Sequence, residues 1–565
     1  MTSIVRAVGN KGSDVYSSSG DPRLDLSVKC VRGATAADMI HGIKAIVDMG
    51  DHEALVDACV LAFHTRNVRG GKGERELFYN MLLGLHGYAP ETLTKLLDLI
   101  PEYGSWADVA HLLTVPAVKA DMVRLFESAL KKDKDAAEGK GISLAAKWAP
   151  REGDEGAKEL ASIFFPSVEH HSSRMKNYRK LVSGLNMRLK TVETLMCAGK
   201  WDVIDPKGVP GRAGKKYNRA FLNLESTYSK EGKVERSKTL RHPDDPVRNA
   251  CRATFEAHYA SAAAGQAKVK GADTLYPHEL VKAAVNDGMN SRMTEEEKNH
   301  SRAVWKSMVE AAGTGGGLGK SIFMCDFSGS MQCSSAGDIP YWVSFALGML
   351  GSEVGSGPFK NKVLTFDSTP QWHTFPEGDL FTRIESIHRK HGLGQGTSTD
   401  FQKAMDLVLE TLKANRVKPE DVPENLIVLT DMNWDQACAS NGTSMYTGNK
   451  YRHVVKTDSW QTHIAMIQEA FKRAGEDMWG PEGAFVPPRI VIWNLAANPK
   501  TDYHARSDTP GVAMLSGWSP TQFKVLQKEG PRQITPYEML RLELDDPKYD
   551  RIRARLAAAA PVEAV

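Results

Sequence analysis

With 565 residues, 41 % hydrophobic and 25 % charged, the chain is too long for one core and has the make-up of a globular protein of two or more domains. Its net charge of +3 is unevenly placed: residues 171–250 carry 18 Lys and Arg against 8 Asp and Glu, leaving the remainder at −7. Seven scattered cysteines with no CxxC spacing argue against a disulfide framework or a thiolate zinc site. Buried free thiols are expected instead. The opening MTSIVRAVGNKG has no apolar signal stretch, and no apolar run reaches the roughly 18–20 residues of a membrane helix, so an intracellular, cytoplasmic protein is expected.

Residues 1–34 are rich in Gly, Ser and Asp without periodicity, which predicts a loosely held arm. From residue 35 to residue 312 the pattern is helical. In ERELFYNMLLGLHG the residues Leu77, Phe78, Met81, Leu82 and Leu85 form one stripe of a 3.6-residue period, and similar stripes recur as far as EEEKNHSRAVWKSMVEAAG. No strand is expected there, and amphipathic helices joined by short turns suggest a HEAT-like α-helical repeat. The Gly-rich stretch 313–320 reads as a hinge between two independently packed units. Beyond it, over residues 321–530, the runs SIFMCD, NKVLTF, NLIVLTD, RIVIWNL and GVAMLSG alternate with helical segments. They are apolar on both faces, as parallel strands covered by helices must be, and predict a doubly wound α/β domain. Residues 531–565 are expected to form a C-terminal helix and an Ala-rich tail.

Two catalytic motifs fail. GLGKS ends like a phosphate-binding loop, but the required first Gly is Thr314, and the segment precedes a strand instead of following one. His278-Glu279 has no second His for a zinc-protease helix, and no GxSxG occurs, so an enzyme is not expected. CDFSGSM, in contrast, puts Asp326, Ser328 and Ser330 at i, i+2 and i+4 directly after a buried strand. Such hard oxygen ligands suit Mg²⁺ or Mn²⁺, and the same residue types also serve as ordinary turn and helix caps. Two further strand ends fit one site: in GQGTSTDF, Thr397 or Thr399 offers a third hydroxyl, and Asp431 ends LIVLTD.

DFSGS, GTSTDFQKA and VLTD resemble the metal-ion-dependent adhesion site of von Willebrand factor A domains, which implies Asp326, Ser328, Ser330, Thr399 and Asp431 as its five positions. VRGGKGERELF, LIPEYGSWADV, SLAAKWAPREG, YRKLVSGLN and YPHELV resemble the helical part of the Ro/TROVE ribonucleoproteins, and more closely the branch called domain of unknown function 2828. That resemblance implies a helical ring closed by a von Willebrand A domain, and binding of small structured or single-stranded RNA.

Under this reading the residues expected on RNA are Arg66, Arg69, Lys72 and Arg75 around the GGKGER turn, Lys147, and Arg179, Lys180, Arg212, Lys215 and Lys216 of the basic block. The plain alternative for Arg69 and Arg75 is to tie helices together through Glu74, Glu102 or Asp108. Trp106, Trp148 and Trp201 read as core anchors. The competing function is a protein-interaction scaffold without RNA, in which a partner's Asp or Glu completes the metal's coordination.

Overall fold

The computed structural model of the chain describes residues 6–8, 14–137, 140–228, 234–288, 292–314, 317–332, 339–367, 369–388, 401–434, 463–498, 500–528 and 533–557. The carboxy-terminal part is built on a six-stranded sheet: β1 (Ser321–Asp326), β2 (Lys362–Phe366), β3 (Trp372–Thr374), β4 (Asn425–Thr430), β5 (Arg489–Asn494) and β6 (Val512–Ser516). Across the sheet the order is β6-β5-β4-β1-β2-β3, and every neighbouring pair is parallel except β2 with β3. The five long strands coincide with the apolar runs of the sequence. The antiparallel edge strand β3 was not legible there, since WHT is three residues long and buries one of them.

Successive residues of each central strand enter two different cores. Ile322, Met324, Ile490 and Ile492 pack with Phe401, Val408 and Phe471 of the helices Phe401–Ala414 and His463–Trp479. Phe323, Cys325, Val491 and Trp493 pack with Val343, Leu347 and Leu350 of the helix Pro340–Val354. The chain is therefore a mixed protein of helices plus an α/β sheet covered on both faces.

Three expectations are corrected. Residues 14–34 of the expected arm are held in place: Asp21 caps the helix Pro22–Lys29, accepting from the amides of Arg23 and Leu24, and Leu24, Leu26 and Val28 are buried. This helix sits at the end of β6, where the Ser516 hydroxyl donates to the Ser27 carbonyl at 2.6 Å and the Asn494 amide donates to the Val28 carbonyl at 2.9 Å. Nor is the stretch 35–312 free of strands, because Leu224–Tyr228 pairs antiparallel with Val234–Leu240; a second antiparallel pair, Arg6–Val8 with Asp14–Tyr16, lies ahead of it. LESTY and VERSKTL contain too few apolar residues to show a strand pattern.

The third correction concerns the hinge. Stretch 313–320 does not separate two cores, because Trp305 and Met308 of the helix Glu295–Gly313 share a cluster with Phe323 and Leu347. At the other end of the chain two helices, Pro536–Leu544 and Asp550–Ala557, return to the helix His52–Arg66. There the Tyr549 hydroxyl meets His64 Nδ1 at 3.0 Å and Arg541 donates to Asp57 at 2.6 Å. Residues 558–565 of the Ala-rich tail lie outside the described residues. Among the described cysteines, Cys30, Cys59, Cys251 and Cys325 are buried free thiols and Cys197 is exposed. No described helix is long and apolar enough to cross a membrane.

Candidate functional site

The sheet order puts β1 between β2 and β4: the chain adds β2 and β3 on one side of β1, then crosses over to add β4, β5 and β6 on the other. At such a switch point the loops diverge and open a crevice beyond the carboxyl ends of the strands. Asp326 is the last residue of β1, and Asp431 follows the last residue of β4. Both carboxylates are buried at this crevice, with Ser328 buried and Ser330 half-buried beside them.

A compact hydrogen-bond set fixes Asp326. The Ser328 amide donates to its Oδ1 at 2.9 Å and the Thr430 hydroxyl to its Oδ2 at 2.8 Å. The Thr430 hydroxyl in turn accepts from the Met432 amide at 3.1 Å and the Trp434 indole at 3.2 Å. Trp434 is held between Phe401 and His504, with ring centroids 4.2 and 3.8 Å away. Asp431 accepts from the Asn433 amide at 3.0 Å and its side chain at 3.2 Å. Between them Met432 takes a φ of 66°, a left-handed conformation that costs a residue with a Cβ about 1–2 kcal/mol and turns the chain sharply at the strand end.

Two features of this constellation fit a small divalent cation. Burial first, and the neighbouring Asp431 second, raise the Asp326 carboxyl from its ordinary 3.8 to about 7, against the hydrogen bonds from Ser328 and Thr430 that favour its charge. A cation relieves that crowding of negative charge. The Ser328 and Ser330 hydroxyl oxygens are 3.1 Å apart. Neighbouring ligands of an octahedron with bonds of about 2.1 Å are separated by about 3.0 Å, so the two hydroxyls converge at the spacing Mg²⁺ needs. Thr397 and Thr399 lie outside the described residues. Among the described residues no group of three or more His, Cys, Asp or Glu side chains is assembled for a metal, and the set here is two carboxylates with hydroxyls.

The ten basic residues expected on RNA divide into three groups, buried, paired with a glutamate, and exposed. Arg66 and Lys72 are buried structural cations. Arg66 makes a bidentate pair with Asp108 at 2.9 and 2.7 Å, and Lys72 Nζ donates to the Ser27 carbonyl at 2.9 Å and the Ser516 hydroxyl at 2.6 Å, tying the first half to the sheet. Lys147 pairs with Glu193, Arg179 with Glu152 and Lys215 with Glu279. Arg69, Lys180, Arg212 and Lys216 are exposed, and Arg75 reaches Asp108 at 3.2 Å while keeping 51 % of its side chain accessible. The plain alternative for Arg75 is thus realised, and Arg69 donates to the Glu102 carbonyl at 3.3 Å.

Arg69, Arg75 and Arg212 come together with Arg32 and Lys270 around a cleft of about 900 Å³. Arg32 and Lys270 were not singled out in the sequence, since neither falls in the GGKGER turn, the KWAPREG segment or the basic block. Trp148 is no core anchor: it lines this cleft with 42 % of its surface exposed, whereas Trp434, Trp493 and Trp518 are buried. Its setting in KWAPREG, at the end of the four-residue helix Ala145–Trp148 and just before Ala149-Pro150, was the available signal that no long helix would carry it inward. Trp106 packs partly buried on Phe126 at 5.1 Å, and Trp201 lies under the Arg248 guanidinium at 3.6 Å.

Residues 320–556 match the family described as Domain of unknown function (DUF7788). The match begins one residue before β1 and ends in the helix Asp550–Ala557, so it takes in the sheet and the two helices that return to the first half. The chain is also similar to "Uncharacterized protein L728" of Acanthamoeba polyphaga mimivirus, 24 % identical over 552 residues that make up 94 % of this chain and 85 % of that protein. That similarity runs through the helical half and the α/β unit together.

Proposed function

We propose that the protein is a Ro-like RNA-binding protein of the cytoplasm, with HEAT-like helices and a von Willebrand A-type α/β unit that holds one Mg²⁺ or Mn²⁺. It acts by binding, not by catalysis. The observation that carries the RNA reading is the gathering of exposed or half-exposed cations around one cleft, where Arg69 and Arg75 of the GGKGER turn meet Arg212 and Lys270 from distant parts of the sequence. Phosphate neutralisation by such groups drives association through counterion release. In filter binding, wild type is expected to retain single-stranded RNA at low salt. Replacing Arg69, Arg212 and Lys270 together with Ala should weaken binding and reduce the slope of log K against log salt by about 2, at about 0.7 for each phosphate that is no longer neutralised. Absence of wild-type binding at low salt would remove the RNA reading.

In the α/β unit, Asp326, Ser328, Ser330 and Asp431 would hold the ion, with Thr399 or Thr397 as the further hydroxyl. When bound, the ion supplies a hard positive centre that accepts an outside oxygen ligand. Calorimetry should detect Mg²⁺ binding to wild type and none to Asp326→Ala. The pH dependence follows from the raised Asp326 carboxyl. Without metal, the folded state holds a proton that the unfolded state has lost between pH 3.8 and about 7, so stability falls as pH rises through that window. A cation takes the proton's place, and Mg²⁺ should therefore raise Tm more at pH 8 than at pH 5. Equal shifts at the two pH values would contradict this account.

A scaffold without RNA is the second reading. It is favoured by the exposure of Gly329 and the half-exposure of Ser330 at the rim of the crevice, where a partner's carboxylate has access. Recovery of a stoichiometric, Mg²⁺-dependent protein partner free of RNA would select it.

A further inference from the structure

We propose that the cleft of the helical half binds one nucleoside phosphate unit, its phosphate held by guanidinium groups and helix N-termini and its base laid on Trp148. The proposal deepens the RNA reading by naming the unit recognised, and rests on that reading where the unit belongs to a strand. At about 900 Å³ the cleft lies within the range of about 300–1,000 Å³ usual for small-ligand sites.

The charge of the walls selects an anion. Arg32 is neutralised by Glu74 at 3.1 Å and stacked between Tyr276 and Trp518, and Arg66 is consumed by Asp108. Arg75 shares that same carboxylate. The Arg69 and Arg212 side chains hydrogen-bond to carbonyls alone, at 3.3 and 3.4 Å, Arg212 also lies over the Tyr276 ring at 5.5 Å, and neither forms an ion pair among the described residues; with the exposed Lys270 they outnumber the one remaining wall acid, Glu76.

Two helices add to this field. Arg75–Tyr88, of 14 residues, and Gly211–Phe221, of 11, both begin on the cleft wall, and neither Glu74 nor Pro210 at their N-caps makes a side-chain capping bond. Their first-turn amides are free of side-chain caps and carry the positive end of the helix dipole, an arrangement suited to phosphate. At Gly211 a Cβ would stand 2.6 Å from the Gly271 carbonyl, so only glycine lets this helix start so close to the opposite wall. The aromatic ring is what distinguishes a nucleotide from a bare phosphate. A large exposed indole beside a cationic wall offers a face on which any base stacks, and truncating such a ring weakens binding by about tenfold or more.

The experiment uses the full chain and titrates AMP, ribose 5-phosphate, adenosine and a ten-nucleotide single-stranded RNA, following indole fluorescence and heat. AMP is expected to bind, with ribose 5-phosphate and adenosine each at least tenfold weaker. Trp148→Ala should weaken AMP about tenfold and leave ribose 5-phosphate unchanged, Trp148→Phe should restore most of the loss, and Arg212→Ala with Lys270→Ala should weaken both. If AMP competes with the RNA and both respond to Trp148→Ala, the unit is recognised within a strand. AMP binding without RNA binding supports the cleft as a free-nucleotide site and removes the RNA reading alone. RNA binding that neither competes with AMP nor responds to Trp148→Ala overturns this proposal and leaves the RNA reading in place. Ribose 5-phosphate binding as tightly as AMP, or no binding by any probe, overturns it as well.

Discussion

Asp108→Ala is expected to destabilise the protein by about 3–5 kcal/mol, the cost of leaving a buried charge without its partner. Asp108 is fully buried and accepts from Arg66 at 2.9 and 2.7 Å, from the Tyr79 hydroxyl at 2.8 Å and from the Ser105 hydroxyl at 2.7 Å. Burial by itself would raise its carboxyl, but the hydrogen bonds and charge of Arg66, joined by Ser105 and Tyr79, outweigh it and hold the group below its ordinary 3.8. Its stabilising effect is therefore complete above that value and is lost as pH falls through the lower folded value. In the variant the Arg66 guanidinium is left in a dry site without its carboxylate. Asp108→Asn should cost less, since an amide keeps part of the hydrogen bonding, and Asp108→Leu combined with Arg66→Met should regain most of the loss. Urea unfolding followed by tryptophan fluorescence measures all four chains. A loss below about 1 kcal/mol for Asp108→Ala would show that Arg66 finds water or another acceptor.

The same pair shows what a sequence reveals and what it withholds. Arg66, Lys72 and Arg75 fall in one Gly-rich turn and look alike as exposed cations, yet the first is buried on Asp108, the second is buried on Ser27 and Ser516, and the third is half-exposed. Their partners lie 42, 45 and 444 positions away for Arg66 and Lys72, and no local pattern encodes such distances. The central strands were legible because burial on both faces demands continuous apolar runs, and the Asp326 loop because one Asp and two Ser stand at alternate positions from the end of such a run. The hairpin Leu224–Tyr228 with Val234–Leu240 was not, since its polar sequence shows no period to read. In the helix Pro22–Lys29 the buried Leu24, Leu26 and Val28 are two apart, a spacing that imitates a strand, and packing against neighbouring helices and the sheet end decided the outcome.

Expression of residues 320–565 alone is expected to give a chain without a cooperative fold, because the first half completes its cores. Leu540, Leu544, Tyr549, Ile552 and Leu556 belong to the same buried cluster as Phe63 and Tyr103, and Phe323 and Leu347 to the same cluster as Trp305 and Met308. Each large apolar side chain returned to water costs about 1.5–3 kcal/mol, so exposure of even five of them costs about 8–15 kcal/mol. That is comparable to the whole stability of a domain, about 5–15 kcal/mol. Polar losses add to it: β6 would give up the Lys72 bond to Ser516, the Tyr16 to Tyr503 backbone pairing would vanish, and Arg541 would lose Asp57. Near-UV circular dichroism and dye binding should report secondary structure without fixed packing. Co-expression of residues 1–319 as a separate chain should restore a soluble complex, since the two halves hold together through their packed surfaces and not through the Gly-rich connection. A fragment that melted cooperatively within a few degrees of the full chain would mean that the shared clusters contribute far less than their burial implies, and that the Gly-rich stretch is, after all, a hinge between two independent units.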